Sequence, residues 1–302
     1  MDRRVFISSV SGALLGTALA GCQSAPARQA PTAFALADRV RVLSGVPGNV
    51  TVVSTTNGFV LIDSGSVELA PQVHEGLGRG RVRALYNTHH HADQTGGNAL
   101  FGAAGATIHS HAIAREWLET DYYVPGENRW VKALPAAARP TATFRTADAA
   151  TIGGQHIEAG YLLEAHTRGD IYVHLRDANV LCVGDVASPL RDPVFDWYAG
   201  GWVGARVDAL DVLLKRSDDA TRIVPAYGPV MTRAELQAER DLMLKLFERT
   251  GKLLMEGHSA QDMLAAGVLK DLGREFTDPD RLLYDVSKGL WAHYTNFGGR
   301  SV

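Results

Sequence analysis

The chain has 302 residues, 46% hydrophobic and 21% charged, with a formal charge of −3. That is an ordinary globular composition, long enough to bury a sizeable core, and it excludes a low-complexity or collagen-like chain. The slight acidity gives no electrostatic footprint for nucleic acid, and two cysteines, Cys22 and Cys182, are too few for a disulfide-stapled scaffold.

Residues 1–22 read as an export signal. Asp2-Arg3-Arg4 precede Val5-Phe6-Ile7 and a Gly/Ala/Leu/Ser stretch too short and too weakly apolar to span a bilayer stably. Arg3-Arg4 followed by Phe6-Ile7 resembles a twin-arginine signal, and Leu19-Ala20-Gly21-Cys22 resembles a bacterial lipobox in which Cys22 becomes the lipidated first residue. The expectation is an exported, periplasmic protein held to a membrane by lipid on Cys22. Gln23, rather than Asp, after that cysteine directs it to the outer membrane of a Gram-negative cell. The mature chain then carries a charge of −4 once Asp2, Arg3 and Arg4 are gone, and with Cys182 alone it forms no internal disulfide. Residues 23–38, opening on Ser, Ala, Pro, Gln and Arg, read as a flexible tether.

From residue 39 the chain reads as strands and then strands alternating with helices. Val40–Leu43, Val50–Ser54 and Phe59–Ile62 are β-branched or apolar runs, the last ending in the turn Asp63-Ser64-Gly65. A helix is expected around Val67–Leu77, and Val82–Tyr86 leads as a buried strand into Thr88-His89-His90-His91-Ala92-Asp93-Gln94. In an extended segment side chains alternate, so His89, His91 and Asp93 project together while His90 points away. Neutral imidazole is the commonest ligand for zinc-like ions, and a nearby carboxylate can hold a second ion or orient a water, so the spacing marks a metal site. Thr107–His109 reads as another strand, its His109 and His111 as ordinary edge-strand residues without a carboxylate, and a helix follows from about Ala112.

The second half carries separate ligand signals. Tyr161-Leu162-Leu163-Glu164 reads as a strand running into Ala165-His166-Thr167-Arg168-Gly169-Asp170, where His166 is the natural third imidazole. Ile171–Leu175 returns, and the apolar strand Val180–Val183 delivers Asp185 at its end, as a ligand or a turn residue. Ile223–Pro225 ends at Tyr227-Gly228-Pro229, and Thr232-x-x-Glu235 is a capping box opening a long helix. Residues 233–302 read as a mostly helical extension.

The ordered set Asp63, His-x-His-x-Asp, His-Thr-x-Gly-Asp, Gly-Asp and Pro-x-x-Gly-Pro resembles the metallo-β-lactamase superfamily over about residues 40–232. Asp196-Trp197-Tyr198-Ala199-Gly200-Gly201-Trp202 and the stretch from Tyr284 to Tyr294 are similar to the branch with a helical C-terminal extension. The resemblance implies an α/β fold, the αββα four-layer sandwich, over residues 39–232. It also implies hydrolysis of substrates such as lactams, thioesters, lactones, phosphodiesters or sulfate esters; a fold of this kind does not name its substrate.

In two-metal members of that family the first ion is held by three His, which map to His89, His91 and His166, all present. The second-site ligands map to Asp93, Gln94 and Tyr227, so both second-site imidazoles are missing. A carboxamide is a weak zinc ligand, and a phenol must first lose a proton, so one tightly held zinc per chain is expected. A three-His zinc with an open position can activate water near neutral pH. Asp93 would orient the nucleophile and accept its proton, and Asp185 would complete the shell or fix a ligand imidazole. Tyr227 and Gln94 would either stabilise a developing oxyanion or merely fill the vacated half. Arg168 either meets a substrate anion or faces solvent. The aromatics at Tyr122, Tyr123, Trp130, Phe195, Trp197, Tyr198 and Trp202 wall an apolar pocket or pack the core, while Trp291 and Tyr294 are expected to pack on the sandwich. The expected substrate is a small ester, lactone, thioester or amide. The alternatives are an iron oxygenase on His89, His166 and Asp185, and a non-catalytic binding lipoprotein.

Overall fold

The computed structural model describes residues 32–45 and 47–296, so the signal segment, Cys22 and the first part of the tether lie outside the described residues. Among these residues the first half lays down β1 (Thr32–Ala37), β2 (Val40–Ser44), β3 (Val50–Thr55) and β4 (Gly58–Ile62) as an antiparallel meander. Helix α1 (Ala70–Leu77), β5 (Val82–Tyr86), the short helices α2 (Ala92–Thr95) and α3 (Asn98–Ala103), β6 (Thr107–His111) and α4 (Ala112–Leu118) follow. The hairpin of β7 (Tyr122–Val124) with β8 (Arg129–Val131), and then β9 (Ala142–Phe144), complete it. The order in the sheet is β1-β2-β3-β4-β5-β6-β9, parallel from β4 onwards.

The second half builds another sheet from β10 (Ala147–Ile152), β11 (Gln155–Tyr161), β12 (Ile171–Leu175) and β13 (Val180–Gly184), each antiparallel to the last. After α5 (Val203–Arg216), β14 (Arg222–Pro225) returns parallel to β13. Helices α6 (Arg233–Met255), α7 (Ala260–Ala265) and α8 (Pro279–Asn296) end the described chain.

Alternation along each strand sends neighbouring side chains to different cores. Val42, Val53, Val60 and Ile62 of the first sheet meet Ile157, Val173, Leu175 and Cys182 of the second. Leu43, Val52 and Leu61 point the other way, beneath Val73 and Leu77 of α1 and Phe101 of α3. On the far face of the second sheet, Leu181, Val183 and Ile223 join Leu210 and Leu213 of α5, Leu246 of α6 and Leu283 of α8. The continuous apolar run Val180–Val183 is what a strand buried on both faces requires. Each such side chain contributes about 1.5–3 kcal/mol. The expected αββα layers with C-terminal helices therefore follow from which residues are apolar on which face.

Several boundaries differ from expectation. The span expected as tether contains β1, whose Thr32–Ala37 pair with β2 although four of the six are exposed, so no burial pattern marks the strand. The strand expected over residues 161–164 is one only at Tyr161, where β11 ends; residues 163 and 164 form a turn with Glu164 at φ +50, which leaves Leu163 exposed. Helix α1 begins at Ala70 rather than Val67, with Pro71 in its first turn. His109 and His111 lie on β6, an interior strand between β5 and β9. There His109 stacks on Tyr86, while His111 stacks on Tyr161 and caps α4. The capping box of Thr232 and Glu235 opens α6 as expected.

Candidate metal centre

The site lies where β5 and β13 end. The chain bends through residues 88–90 after β5 and is extended again at His91, whose φ and ψ are −65° and 148°, and this path brings His89 and His91 to one side. His90 goes to the other and stacks on Trp117. At Ala92 the chain turns into α2, so Asp93 follows helical rather than strand geometry. Beyond β13, Gly184 has φ +57, and a Cβ there would stand 2.7 Å from the Thr88 hydroxyl. Glycine thus permits the turn that brings Asp185 under the imidazoles.

His89, His91, His166 and Asp185 each offer one ligand atom to a common point, all within 4.8 Å of one another. His91 Nδ1 is 3.2 Å from His166 Nε2, and Asp185 Oδ2 is 3.6 Å from His89 Nε2 and 3.8 Å from His166 Nε2. Four ligands at about 2.0–2.1 Å from a tetrahedral zinc would be separated by about 3.4 Å, so the set fits such an ion. His89 Nε2 and Asp185 Oδ2 are buried without a hydrogen-bond partner, and such orphaned atoms are costly unless something binds them.

The outer nitrogen of each imidazole has its own partner. His166 Nδ1 donates to the Val194 carbonyl at 2.8 Å, and His91 Nε2 donates to the Asp196 carboxylate at 2.5 Å. The Thr88 hydroxyl donates to Asp63, which leaves its oxygen to accept from His89 Nδ1 at 3.1 Å when Asp63 is ionised. These contacts direct the lone pairs of His89 Nε2, His91 Nδ1 and His166 Nε2 inward. Asp170 holds the third imidazole's loop, accepting from the backbone N–H of His166 and Thr167 and from the Thr167 hydroxyl.

Burial, reinforced by the neighbouring imidazoles, pushes His89 and His166 well below the ordinary histidine value. Burial acts the same way on His91, but the charge and hydrogen bond of Asp196 reverse it and raise His91 to about 9, so an ion taking its Nδ1 lone pair would displace a proton. Asp196 is held well below the carboxylate range by the same contact, despite its burial. Burial drives Asp63 up to about 8 against its two bonds from Thr88, and Asp93 and Asp185 add to the rise. A cation among the imidazoles would favour ionised Asp63. His90, His91 and Asp196 also stand close together, but His91 Nε2 is already committed to Asp196.

The other expected residues form a separate group beside the cluster. Tyr227 donates its hydroxyl to Asp93 Oδ2, and Gln94 Nε2 donates to the same oxygen at 3.2 Å. Burial and the Asp93 charge raise the Tyr227 phenol far above its usual value, so it stays protonated, a donor rather than a ligand. Asp93 is outside the four-residue cluster. Two residues at this site were given no part in it by sequence alone. Asp196 is one, and Arg191 is the other: its Nη2 donates to Asp185 Oδ1 at 2.6 Å and its guanidinium lies 3.6 Å from the Tyr227 ring centre.

The model of the metallo-beta-lactamase superfamily matches residues 43–227, which include every one of these side chains. The chain belongs to that superfamily. It is 26% identical over 203 residues to the metallo-beta-lactamase type 2 of Bacillus cereus and to that of Bacillus sp. (strain 170), spanning 66% of this chain and 73% of each relative. A metallo-beta-lactamase structure from Pontibacter korlensis aligns with a TM-score of 0.58 at 21% identity, over 71% of this chain and 99% of that one. A stereoselective inverting sec-alkylsulfatase from Pseudomonas sp. aligns with a TM-score of 0.63 at 18% identity, over 90% of this chain and 51% of that one. At such identities the two structures speak for the fold alone, and this chain spans about half of the sulfatase. Superfamily members are generally hydrolases with metal sites, and the His/Asp cluster here is one that could hold a metal.

The cluster of this superfamily member opens into a cavity of about 360 Å³ lined by His91, Asp93, Tyr122, Arg191, Asp196 and Tyr198, among others. A larger cavity of about 630 Å³ lies behind Tyr198, and Trp197, Trp202 and Arg168 line that one instead. Arg168 pairs with Glu164 at 3.0 Å, away from the cluster. Phe195 is core, while Tyr123 and Trp130 form an exposed pair on the β7–β8 hairpin. Tyr294 packs on the core as expected, but Trp291 is 61% exposed, because it lies on the outer stripe of α8 with Tyr284 and Lys288.

Proposed function

We propose that this protein is a hydrolase holding one zinc ion on His89, His91, His166 and Asp185, acting on a small ester, lactone, thioester or amide. The observation that carries the reading is the inward convergence of three imidazole lone pairs, each outer nitrogen engaged elsewhere, on the orphaned Asp185 Oδ2. A divalent ion held on the three imidazoles beside Asp185, with one position left open to water, would supply Lewis acidity, activating that water and polarising a substrate oxygen. The chain's own residues do the rest. Asp93, at the cavity wall and held by Tyr227 and Gln94, accepts the proton of the attacking water. Tyr122 and Tyr198 give the cavity an aromatic side for an apolar substrate group. Relatives named metallo-beta-lactamases and a structural neighbour named a sec-alkylsulfatase make lactams and sec-alkyl sulfates part of the substrate screen.

The test is elemental analysis of the chain without residues 1–22, purified without added metal, together with His89→Ala and His166→Ala. About one zinc per chain, lost in both variants along with hydrolysis of the screened substrates, is the expected result. One iron would redirect the reading to oxygen chemistry, and a metal-free, inactive protein would refute it.

A further inference from the structure

We propose that Arg191 is a built-in second cation of the site, its guanidinium holding the ground between Asp185 and Tyr227 and so limiting the protein to one metal ion. The inference rests on the metal-binding reading above and goes beyond it in saying what sets the count.

Asp185 is shared between two sides of the site. Its Oδ2 faces His89 and His166 and has no hydrogen-bond partner, while its Oδ1 accepts from Arg191 Nη2 at 2.6 Å. One carboxylate thus faces the imidazole cluster on one side and a guanidinium on the other, at 2% side-chain exposure. Such a buried carboxylate needs compensating charge, and Arg191 provides it permanently.

The groups around Arg191 offer a cation little to bind. A guanidinium carries five N–H donors and no lone pair for a metal. It lies over the Tyr227 ring, and the Tyr227 hydroxyl proton is committed to Asp93. Gln94 turns its amide N–H to the same Asp93 oxygen, under the close backbone of Gly48, where a Cβ would come within 2.6 Å of Gln94 Nε2. A second divalent ion would have to approach a fixed positive charge, displace a phenol proton and turn a confined carboxamide. Gln94 Oε1 is likewise buried without a partner, but it is a neutral carboxamide oxygen, whereas the first cluster offers three inward imidazole lone pairs and an unpartnered carboxylate oxygen. The Arg191 side chain is 37% exposed, so water screens its repulsion of a second ion only in part.

Equilibrium dialysis against cobalt(II), with metal counted per chain and the cobalt absorption spectrum recorded, tests this on the wild type, Arg191→Lys and the neutral Arg191→Met and Arg191→Gln. Circular dichroism reports whether each is folded. One ion is expected in the wild type and Arg191→Lys even at high cobalt. The neutral variants should take up a second ion with a new absorption component, binding it at least about tenfold more tightly than the charged forms do. A folded neutral variant that still stops at one ion overturns the proposal while leaving the single-metal reading intact. Wild type that takes up two ions overturns it without any variant having to fold. Wild type that binds none overturns the metal-binding reading and this proposal with it.

Discussion

His91 donates its Nε2–H to Asp196 over 2.5 Å, and that contact decides which nitrogen is left for an ion. Asp196 is itself held, by the Tyr198 hydroxyl at 2.9 Å and by its backbone N–H on the His166 carbonyl at 3.0 Å. The loop approaches so closely that a Cβ on Gly201 would fall 2.0 Å from that carbonyl oxygen. Loss of a partner that orients a metal-bound histidine typically costs 10–100-fold in affinity, so Asp196→Ala should weaken zinc binding by about that factor. Competition with a chromophoric chelator measures it, and an unchanged affinity would show that His91 is oriented by something else. His89, His91, His166 and Asp185 were legible because each sits in a short motif at a strand end. Asp196 showed only as part of a stretch similar to one branch of the family, with no place at the site, and Arg191 not at all, since they lie in irregular loops, 105 residues from His91 in one case and 6 from Asp185 in the other, where no periodicity aims a side chain. The alternation rule also misplaced Asp93: it held through His91 and failed where α2 begins.

At the scale of elements, α5 reaches the site through Arg206. This side chain is fully buried, and its donors go to the carbonyls of Asp185, Val186 and Val194 and to the Ser188 hydroxyl. It thereby ties together the loop that carries Asp185, Arg191 and the acceptor of His166 Nδ1. Removing one partner from a buried charged network leaves the others desolvated and unpaired, so Arg206→Met should lower stability by about 3–5 kcal/mol. Urea unfolding of the metal-free protein checks this, and a loss below about 1 kcal/mol would mean that water or a shifted loop replaces the guanidinium. Nothing in the sequence marks Arg206 for burial, because amphipathic periodicity says which face is buried but not which charges a loop will need. The apolar faces themselves were readable, and with them the layers. What stayed hidden was β1, held in the sheet by backbone hydrogen bonds that leave little trace in side-chain type, together with β7 to β10, most of β11 and α5.

At the scale of the whole molecule, the two sheets meet over Cys182, 2% exposed, which donates its Sγ–H to the Thr51 hydroxyl of the facing sheet at 3.4 Å. Burial pushes the thiol up to about 12, with Thr51 pulling it back and Asp63 adding slightly to the rise. Because the folded value exceeds the unfolded one, the group stabilises the sandwich fully below the unfolded thiol pKa, about 8.5, and that contribution is lost as pH rises through about 12. The same asymmetry makes Cys182 a reporter of sheet separation. In the chain without residues 1–22 it is the one cysteine left, and a thiol reagent needs the thiolate. If labelling requires the sheets to part, its rate should climb with pH only until the exposed thiol is ionised, near 8.5, and then level off. If the reagent met the thiolate inside the closed sandwich, the rate would keep climbing toward pH 12. Stopped labelling with an aromatic disulfide between pH 7 and 10, below any denaturing condition, separates the two: a plateau assigns Cys182 to the opening of the whole fold, while a continued rise would show a path to the core that the closed sheets do not provide.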